Sequence, residues 1–369
     1  MVLAEIIQPS FLVQPNMKVY INGIGSVNAQ QAGYTDNFLA EIQQTEQHSI
    51  RSIEPDYKAF INPTLIRRMG RIIKMGVASA KMCLNDAGVE QPDAILTGTG
   101  LGCIEDTEKF LGAIIQNNEQ FLTPTSFIQS THNTVGGQIA LMLGCNNYNF
   151  TYVHRAFSFE SCVQDAMMLL AEKAEQNVLL GGVDELTVNS LKLIERLGQL
   201  KNHPITSLNL LNYKTRGSIA GEGANFFVFS AKLSESSYAQ LLGCKMLYKP
   251  ENTQEITESL QQFLQQNKVQ ASDIDLVLYG YNGDVKYDRV YNEVKDKLLS
   301  KSSVAYFKHL SGEYHTSNSF AYLLAAHILK TKSVSPSILL DDKKRLVKTI
   351  LIYNHYRGIN HTFSLLTAC

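Results

Sequence analysis

Apolar residues along this chain alternate between short runs typical of strands and longer stretches with the spacing of helices. The segment "KVYINGIG" (18–25) is rich in β-branched residues and contains two closing glycines, which predicts a first strand of an α/β domain. In residues 63–88 apolar side chains recur every three or four positions, which predicts one helix with a glycine stop. Residues 94–102 are predicted as a buried strand ending in a Gly/Thr turn, and residues 131–145 as a helix opened by glycines.

The same alternation restarts after a polar break at residues 231–239. Before the break, "NVLLGGVDE" and "GANFFVFS" are predicted as strands. After it, "ITESLQQFLQQN" and "SFAYLLAAHILK" are predicted as helices, and "IDLVLYGYNGD", "SVAYF" and "TILIYNH" as strands. Strands that alternate with helices favour parallel sheets covered by helices on both faces. The sequence therefore predicts an α/β protein.

The pattern divides the chain into two α/β halves, residues 18–230 and residues 240–369. A chain of 369 residues is long enough for two packed halves with a sizeable core. Residues 1–17 are predicted to be an extension before the first strand, and Met17 is an alternative start. The extension has an acidic residue and prolines where a signal peptide needs basic and apolar regions.

Composition narrows the possible functions. Hydrophobic residues make up 44% of the chain and charged residues 18%, with a formal net charge of -1, so a general attraction to nucleic acid or anionic membrane is not expected. The longest apolar runs are shorter than a membrane span requires. The six cysteines are scattered without metal-ligand spacing, which predicts reduced thiols, a cytoplasmic location, and neither a metal site nor a cofactor.

The segment "YVHRAFSFESCVQDAMMLL" (152–170) is typical of a strand that turns sharply into a helix. In many enzymes such a corner holds a nucleophile, because amides at the start of the helix stabilise an anion there. Here the corner holds Phe157. Ser158 and Cys162 follow, but Cys162 lies more than one turn into the helix and Ser158 lacks an evident base. Arg155 and Glu160 flank the corner, where they either form an ion pair that holds the loop or lie at the surface.

Five motifs occur together in order: "YINGIGSV", "GTGLG", "THNTVGGQIALMLGC", "NVLLGGVDE" and "GSIAGEGANFFVFS". In this order and spacing the chain resembles the β-ketoacyl-acyl-carrier-protein synthases over about residues 18–366. The resemblance implies the duplicated thiolase fold, with helices and sheets layered α-β-α-β-α. It also implies a dimer in which central strands of two subunits lie side by side.

The chemistry implied by this resemblance requires a cysteine thiolate that carries the acyl chain and two histidines that activate the malonyl thioester. Alignment places Phe157 at the cysteine position. Counting back from Asp288, which matches a family aspartate, places Gly280 at the first histidine. In "KHLSGEYHTS" the family lysine is retained as Lys308, whereas Glu313 replaces the second histidine. An unpaired buried carboxylate is costly, so Glu313 is predicted either to form a buried ion pair with Lys308 or to be protonated.

With all three groups replaced, the chain resembles the chain-length factors, ketosynthase-like subunits that pair with an active ketosynthase. The corner "SFES" and the "YNGD" segment are most similar to partner subunits of aryl-polyene and flexirubin-type pathways. This resemblance implies a heterodimer with an active ketosynthase and an acyl carrier protein that delivers the chain. It implies further that residues 105–130 line the acyl tunnel and the interface, through the apolar side chains Phe110, Leu111, Ile114, Ile115, Phe121 and Phe127.

Alternatives remain open at this point. The chain is an enzyme in its own right if Ser158 or Cys162 acts as a nucleophile in an acyltransferase or condensing reaction. It is a structural relative if it forms homodimers that scaffold a pathway. His132, His315 and His355 match no catalytic position and are predicted to be structural. The helix segment "LIRRMGRIIK", with Arg67, Arg68, Arg71 and Lys74, is either a solvated face or a docking patch for an acidic carrier protein.

Overall fold

The computed structural model describes residues 18–34, 37–173, 176–343 and 346–369, so the predicted extension at residues 1–17 and the alternative start at Met17 lie outside the described residues. Within these ranges, eleven strands join in one sheet. They are β1 (Val19–Val27), β2 (Ala94–Gly98), β3 (Tyr148–Tyr152), β4 (Asn177–Asp184), β5 (Gly223–Ser230), β6 (Ala239–Tyr248), β7 (Leu276–Tyr279), β8 (Ser303–Tyr306), β9 (Leu339–Asp341), β10 (Thr349–Tyr356) and β11 (Asn360–Thr367).

The α-helices of the described residues lie between these strands. They are α1 (Pro63–Ile66), α2 (Arg71–Ala87), α3 (Ile104–Gln116), α4 (Pro124–Gln129), α5 (Thr134–Leu143), α6 (Ser158–Glu172), α7 (Val188–Arg196), α8 (Thr253–Gln266), α9 (Val285–Leu298), α10 (Lys308–Ser311) and α11 (Asn318–Thr331).

The single helix predicted over residues 63–88 is wrong, because the chain forms two helices there. Helix α1 begins where the Asn62 side chain accepts a hydrogen bond from the backbone of Thr64, with Pro63 in the first turn. The chain then leaves helical geometry, and α2 begins after Gly70. Apolar spacing continues through the break, so periodicity alone could not reveal it.

The strand order shows an internal duplication. Five strands of the first half lie in the order β3-β2-β4-β5-β1, and five of the second lie in the mirrored order β6-β11-β10-β7-β8, with β9 added at the far edge. The pairings repeat as well, since β2 is parallel to β3 and β4, and β7 is parallel to β8 and β10. A short antiparallel pairing of β1 with β6 joins the two sets. The predicted duplicated α/β fold is therefore confirmed.

Alternating side chains of each strand face different helices, which produces the α-β-α-β-α layering. Leu180 of β4 and Leu278 of β7 pack into one central core with α6 and α11, whereas Leu179 packs outward against α2 and α5. On the other side, Tyr279 packs outward against α8 and α9. Helix α11 is buried along most of its length, as expected of a helix that is apolar around its whole circumference.

Candidate functional site

The corner that follows β3 is held tightly against the end of β2. A single 3-10 turn, Arg155–Phe157, leads into α6. A Cβ atom on Gly98 would lie 2.7 Å from the backbone carbonyl of Ser158, so only glycine permits this close approach. Phe157 is buried, and its ring lies edge-on to the His154 ring at 5.4 Å between centroids. The buried side chain at this corner therefore has no atom that can attack a thioester.

The hydroxyl of Ser158 is occupied by the backbone around it. It accepts a hydrogen bond from the His154 N–H at 2.8 Å and lies 2.8 Å from the carbonyl oxygen of Thr99 and 2.7 Å from that of Arg155. Among the described residues, none of its hydrogen-bond partners is an imidazole. Ser158 is also completely buried, so it has neither a base nor access to substrate.

The Cys162 thiol is buried and lies 3.3 Å from the carbonyl oxygen of Ser158. Burial raises the pKa of this thiol well above its ordinary value, which disfavours the thiolate that nucleophilic attack requires. The two candidate nucleophiles of the enzyme hypothesis, the Ser158 hydroxyl and the Cys162 thiol, therefore both lie in surroundings that make them unreactive.

We expect no acyl adduct on Ser158 or Cys162 when the chain is incubated with acyl-loaded carrier protein and its intact mass is measured. Iodoacetamide should modify Cys162 at least about a hundredfold more slowly than the exposed Cys369, until denaturant removes the difference. Peptide mapping over time gives both rates. An acyl group on Ser158 or Cys162 of the folded chain would restore the enzyme hypothesis.

Glu160 lies in the first turn of α6, completely buried. Asn318 Nδ2 donates a hydrogen bond to Glu160 Oε1 at 2.7 Å, while Oε2 has no hydrogen-bond partner among the described residues. Burial raises the pKa of this carboxyl to about 7. The predicted ion pair with Arg155 is wrong, because Glu160 faces the core whereas Arg155 is exposed.

The predicted ion pair between Lys308 and Glu313 is present. Lys308 Nζ lies 2.9 Å from Oε1 and 2.8 Å from Oε2 of Glu313. The lysine side chain is completely buried and that of Glu313 is 14% exposed. The histidine that this residue replaces would donate a proton to a carbonyl oxygen. A carboxylate paired with a lysine has no proton to donate and cannot take over that function.

The structure brings Asn282, rather than Gly280, to Glu313. Asn282 Nδ2 donates a hydrogen bond to Glu313 Oε2 at 2.7 Å. A Cβ atom on Gly280 would lie 2.1 Å from Asn354 Oδ1 and 2.8 Å from the Tyr291 hydroxyl, so a larger residue fits here only if these side chains move. Counting from Asp288 missed this side chain; the only sequence signal was the amide in "YNGD".

Buried charges fix the loop that carries Asn282. The Asp288 carboxylate accepts hydrogen bonds from the backbone N–H groups of Asn282 at 3.1 Å and Gly283 at 2.7 Å. From the other side, the buried Lys201 amine donates to the carbonyl oxygen of Gly283 at 2.6 Å. Sequence reasoning did not identify Lys201, because nothing in its neighbourhood along the chain marks a buried cation. The loop therefore presents Asn282 in one fixed position.

The three histidines named from the sequence do not form a catalytic set. His355 is buried with Nε2 3.0 Å from the carbonyl oxygen of Tyr287, and burial lowers the pKa of its imidazole well below the ordinary value. His315 is half-buried with its ring 5.0 Å from that of Tyr356, and His132 is exposed. His355 is thus a neutral structural residue, as predicted.

An exposed apolar face lies on α3, α4 and the loop between them. Leu111 and Ile115, one helical turn apart on α3, are 53% and 78% exposed, and Phe121 in the loop is 90% exposed. Phe110 instead packs on Phe127 of α4, with ring centroids 5.2 Å apart. Of the six residues predicted for the tunnel and interface, Phe121 and Ile115 are the most exposed, followed by Phe127 at 56% and Leu111 at 53%.

Strand β3 forms one edge of the sheet near the corner. Its Tyr148 and Phe150 side chains are 45% and 47% exposed. An edge strand offers backbone hydrogen-bonding groups to another strand, and exposed aromatic side chains on it are typical of an interface.

The cationic segment is only partly a surface patch. Arg67 and Arg68 are exposed, but the Arg71 guanidinium forms two hydrogen bonds of 2.7 Å with the buried Glu222 carboxylate. Lys74 lies 5.5 Å from the centroid of the Tyr57 ring. Arg71 therefore has a structural role, so neither the solvated face nor the docking patch considered from the sequence describes this residue.

The described part of the chain contains neither a metal-binding cluster nor a membrane-spanning helix. No group of three or more His, Cys, Asp or Glu side chains in that part of the chain is arranged to hold a metal ion. No helix described there is both long and apolar enough to cross a membrane.

Comparisons with known proteins agree with this architecture. Residues 40–190 match the family profile described as "Beta-ketoacyl synthase, N-terminal domain". A structure of "the ishigamide ketosynthase/chain length factor" has a TM-score of 0.82 at 15% identity, over 96% of this chain and 99% of that one. No protein of curated function matches the sequence.

Two other solved structures are complexes. A ketosynthase (ApeO) in complex with its chain length factor (ApeC) from Xenorhabdus doucetiae has a TM-score of 0.76 at 13% identity, over 96% of this chain and 98% of that one. The complex AntDE:AntF, a type II polyketide synthase acyl-carrier protein with its ketosynthase, has a TM-score of 0.76 at 12% identity, over 96% and 99% of the two chains. At these identities the likeness shows the fold.

Proposed function

We propose that this chain, a ketosynthase-like protein with a β-ketoacyl synthase N-terminal domain and thiolase-like fold, is the non-catalytic partner of an active ketosynthase. The observation that carries the proposal is the corner before α6, where a buried Phe157 stands in place of a nucleophile. The neutralised Glu313 and the amide of Asn282 beside it support the same conclusion. In this role the chain shapes the acyl tunnel, whereas the active ketosynthase catalyses the formation of carbon–carbon bonds.

In this proposal the chain is a chain-length factor that forms a heterodimer with the ketosynthase. The exposed residues Leu111, Ile115 and Phe121, together with the edge strand β3, form the surface that the partner covers. The substrate is a polyketide or polyene chain, as in aryl-polyene pathways, delivered by an acyl carrier protein to the active partner. The proposal includes a cytoplasmic location, which the unpaired state of all six cysteines supports.

A steric wall explains how such a subunit limits product length. Each added two-carbon unit gains about 0.8 kcal/mol per buried CH₂ until it meets a side chain that cannot move without strain. Phe121 and Ile115 supply large side chains at the exposed face, and Phe121 is held in a left-handed conformation with φ of 54°. The two halves proposed at residues 18–230 and 240–369 serve here as a rigid frame for that wall.

We expect that Ile115→Ala and Phe121→Ala, each in the chain co-purified with its ketosynthase, will lengthen the product by one or two two-carbon units, because the wall recedes. Mass spectrometry of released products measures the length. Leu233→Ala is the control, since Leu233 is 58% exposed and lies in the segment between the two halves. The steric-wall proposal fails if Ile115→Ala and Phe121→Ala both give products of unchanged length, or if Leu233→Ala lengthens the product equally.

The same preparation tests the absence of catalysis. The lone chain should condense no malonyl units, whereas the pair should be active. Loss of all condensation after Cys→Ala in the partner's active site locates the chemistry there. Condensation by the lone chain would contradict the proposed function. Among the described contacts, none favours Ser158 or Cys162 as an alternative nucleophile.

A further inference from the structure

A cavity of about 500 Å³ lies in the second half of the chain, between helix α9, strands β8 and β9 and the loop that contains Tyr213. Cavities of about 300–1,000 Å³ are typical of small-molecule sites. Neither Asn282 nor Glu313 lines this cavity, so it is separate from the degenerate site around those two residues. Strand β9 and strand β3 are at opposite edges of the sheet, so a partner that covers β3 leaves the cavity open.

Apolar and aromatic side chains form the floor and one wall of the cavity. Tyr281 and Val304 are buried and form the floor, whereas the half-buried Tyr213 and the exposed Leu340 stand at the sides. The Tyr281 ring is held edge-on by the Tyr291 ring, at 4.9 Å between centroids. The apolar body of a ligand therefore meets a rigid aromatic surface here.

Helix α9 lines the opposite wall with polar side chains. Arg289, Asn292 and Lys295 follow each other at intervals of three residues, which places them along one face of the helix. Asn292 Oδ1 accepts a hydrogen bond from the Tyr281 hydroxyl at 2.8 Å, which orients the amide. Among the described residues, the Asn292 Nδ2 group has no acceptor of its own. The cavity therefore contains a fixed hydrogen-bond donor beside its aromatic floor.

The cations of the lining differ in how far their charge is balanced. Arg289 forms an ion pair with Glu293 at 2.6 Å, and Lys295 lies 3.5 Å from Asp296. The Lys214 amine instead donates to a backbone carbonyl oxygen at 2.9 Å and has no carboxylate partner among the described residues. Lys214 is therefore the cation whose charge a ligand can balance.

The two acidic residues of the lining are already occupied. The Asp288 carboxylate accepts hydrogen bonds from the backbone of Asn282 and Gly283, and burial raises its pKa to about 7. Asp341 forms an ion pair with Lys343 at 2.7 Å. Neither group cancels the charge of the lysine across the cavity, so the cavity suits a ligand with one negative charge.

We propose that this cavity binds a small aromatic carboxylate. The carboxylate accepts a hydrogen bond from Asn292 Nδ2 and pairs with the Lys214 amine, and its single charge matches the single unbalanced cation. The ring packs on Tyr281 and Tyr213. A rigid ring uses these tyrosine faces better than a flexible alkyl chain does, because it loses less conformational entropy on binding and stacks on aromatic side chains.

The test is isothermal titration calorimetry on the full chain with 2-naphthoate, 2-naphthamide and octanoate. The amide keeps the rings without the charge, and octanoate keeps the charge without the rings. We expect 2-naphthoate to bind at least tenfold more tightly than either. Equal affinity for 2-naphthamide or for octanoate would overturn the proposed ligand class. Because the lone chain is used and no condensation is measured, failure of this proposal leaves the pairing with a ketosynthase untouched.

Asn292→Asp locates the binding in this cavity. Aspartate still accepts the hydrogen bond from the Tyr281 hydroxyl, so the melting temperature should stay within about 2 °C of the parent value. It replaces the amide donor with a charge that repels a carboxylate, so 2-naphthoate should bind at least tenfold more weakly. Lys214→Met, which removes the unbalanced cation, should also weaken binding.

The matched control is Lys297→Met, because Lys297 is an exposed cation of the same helix that does not line the cavity. This variant should keep the full affinity for 2-naphthoate. Unchanged affinity in Asn292→Asp or in Lys214→Met, or an equal loss in Lys297→Met, would each overturn the carboxylate site.

Discussion

Replacing Lys308 with methionine is expected to lower the free energy of unfolding by about 3–5 kcal/mol. The lysine side chain is completely buried, and its amine is the cation bonded to both oxygens of Glu313. Methionine retains most of the side-chain volume but leaves the Glu313 carboxylate with Asn282 Nδ2 as its remaining hydrogen-bond donor among the described residues. An uncompensated carboxylate in this interior is costly, because the surrounding medium solvates it poorly. Denaturant unfolding followed by circular dichroism measures the loss.

Two further variants make this result specific. Lys308→Met combined with Glu313→Gln should recover most of the stability, since the second change removes the unpaired charge. Arg289→Met is the matched control at the surface, because Arg289 also pairs with a glutamate, Glu293, at 2.6 Å but is 81% exposed. That substitution should lower the free energy of unfolding by less than about 1 kcal/mol. If Lys308→Met costs no more than Arg289→Met, the pair has no structural role.

The sequence predicted the elements whose apolar pattern is simple. The alternation of strands and helices identified the α/β class, and the glycines of "GTGLG" marked the turn that ends β2. Strand β11 was missed, because His361, Thr362 and Ser364 interrupt its apolar residues although all three are buried. Polar side chains in a central strand reflect the polar interior of the degenerate site, which no local pattern can reveal.

The candidate site was predicted in part, for a related reason. Phe157, Lys308 and Glu313 lie beside rigid landmarks, a strand-to-helix corner and the glycine that follows α10, so counting along the chain located them. Asn282 lies in a loop whose path depends on hydrogen bonds to Asp288 and Lys201. Related sequences can gain or lose residues in such a loop while its ends stay in place. Counting along the chain therefore cannot identify the side chain that reaches Glu313, and only the folded structure shows it.

The corner before α6 is filled by side chains rather than left open. A ketosynthase that lost its nucleophile by simple drift would be expected to keep an open pocket. Here Phe157 fills the corner, Ser158 is bonded to the backbone, and Glu160 turns inward to Asn318. The corner is therefore packed core, which is consistent with the proposed role of a subunit that holds a fixed shape against a ketosynthase.

The buried Glu160 gives a second large prediction, in which stability falls as pH rises. Burial raises the pKa of this carboxyl from 4.5 to about 7 in the folded chain. The folded state therefore binds the proton more tightly than the unfolded state, and its stability declines as pH increases from about 4.5 to about 7. The difference amounts to about 3 kcal/mol lost at neutral pH and above, and it is regained on acidification.

Glu160→Gln should abolish this contribution, because the amide cannot ionise and still offers an acceptor to Asn318 Nδ2. We expect the variant to exceed the parent chain in stability by up to about 3 kcal/mol at pH 8 and to match it near pH 4.5. Burial also raises the pKa values of Glu185 and Asp288 to about 7, so these groups also lower the free energy of unfolding as pH rises. They do so equally in the parent chain and in Glu160→Gln, and the difference between the two proteins therefore reports on Glu160 alone. Glu172→Gln, at the exposed end of the same helix, is the control. Parallel stability curves for parent and Glu160→Gln from pH 4.5 to pH 8 would mean that Glu160 is already ionised in the folded core, with a partner that neutralises it.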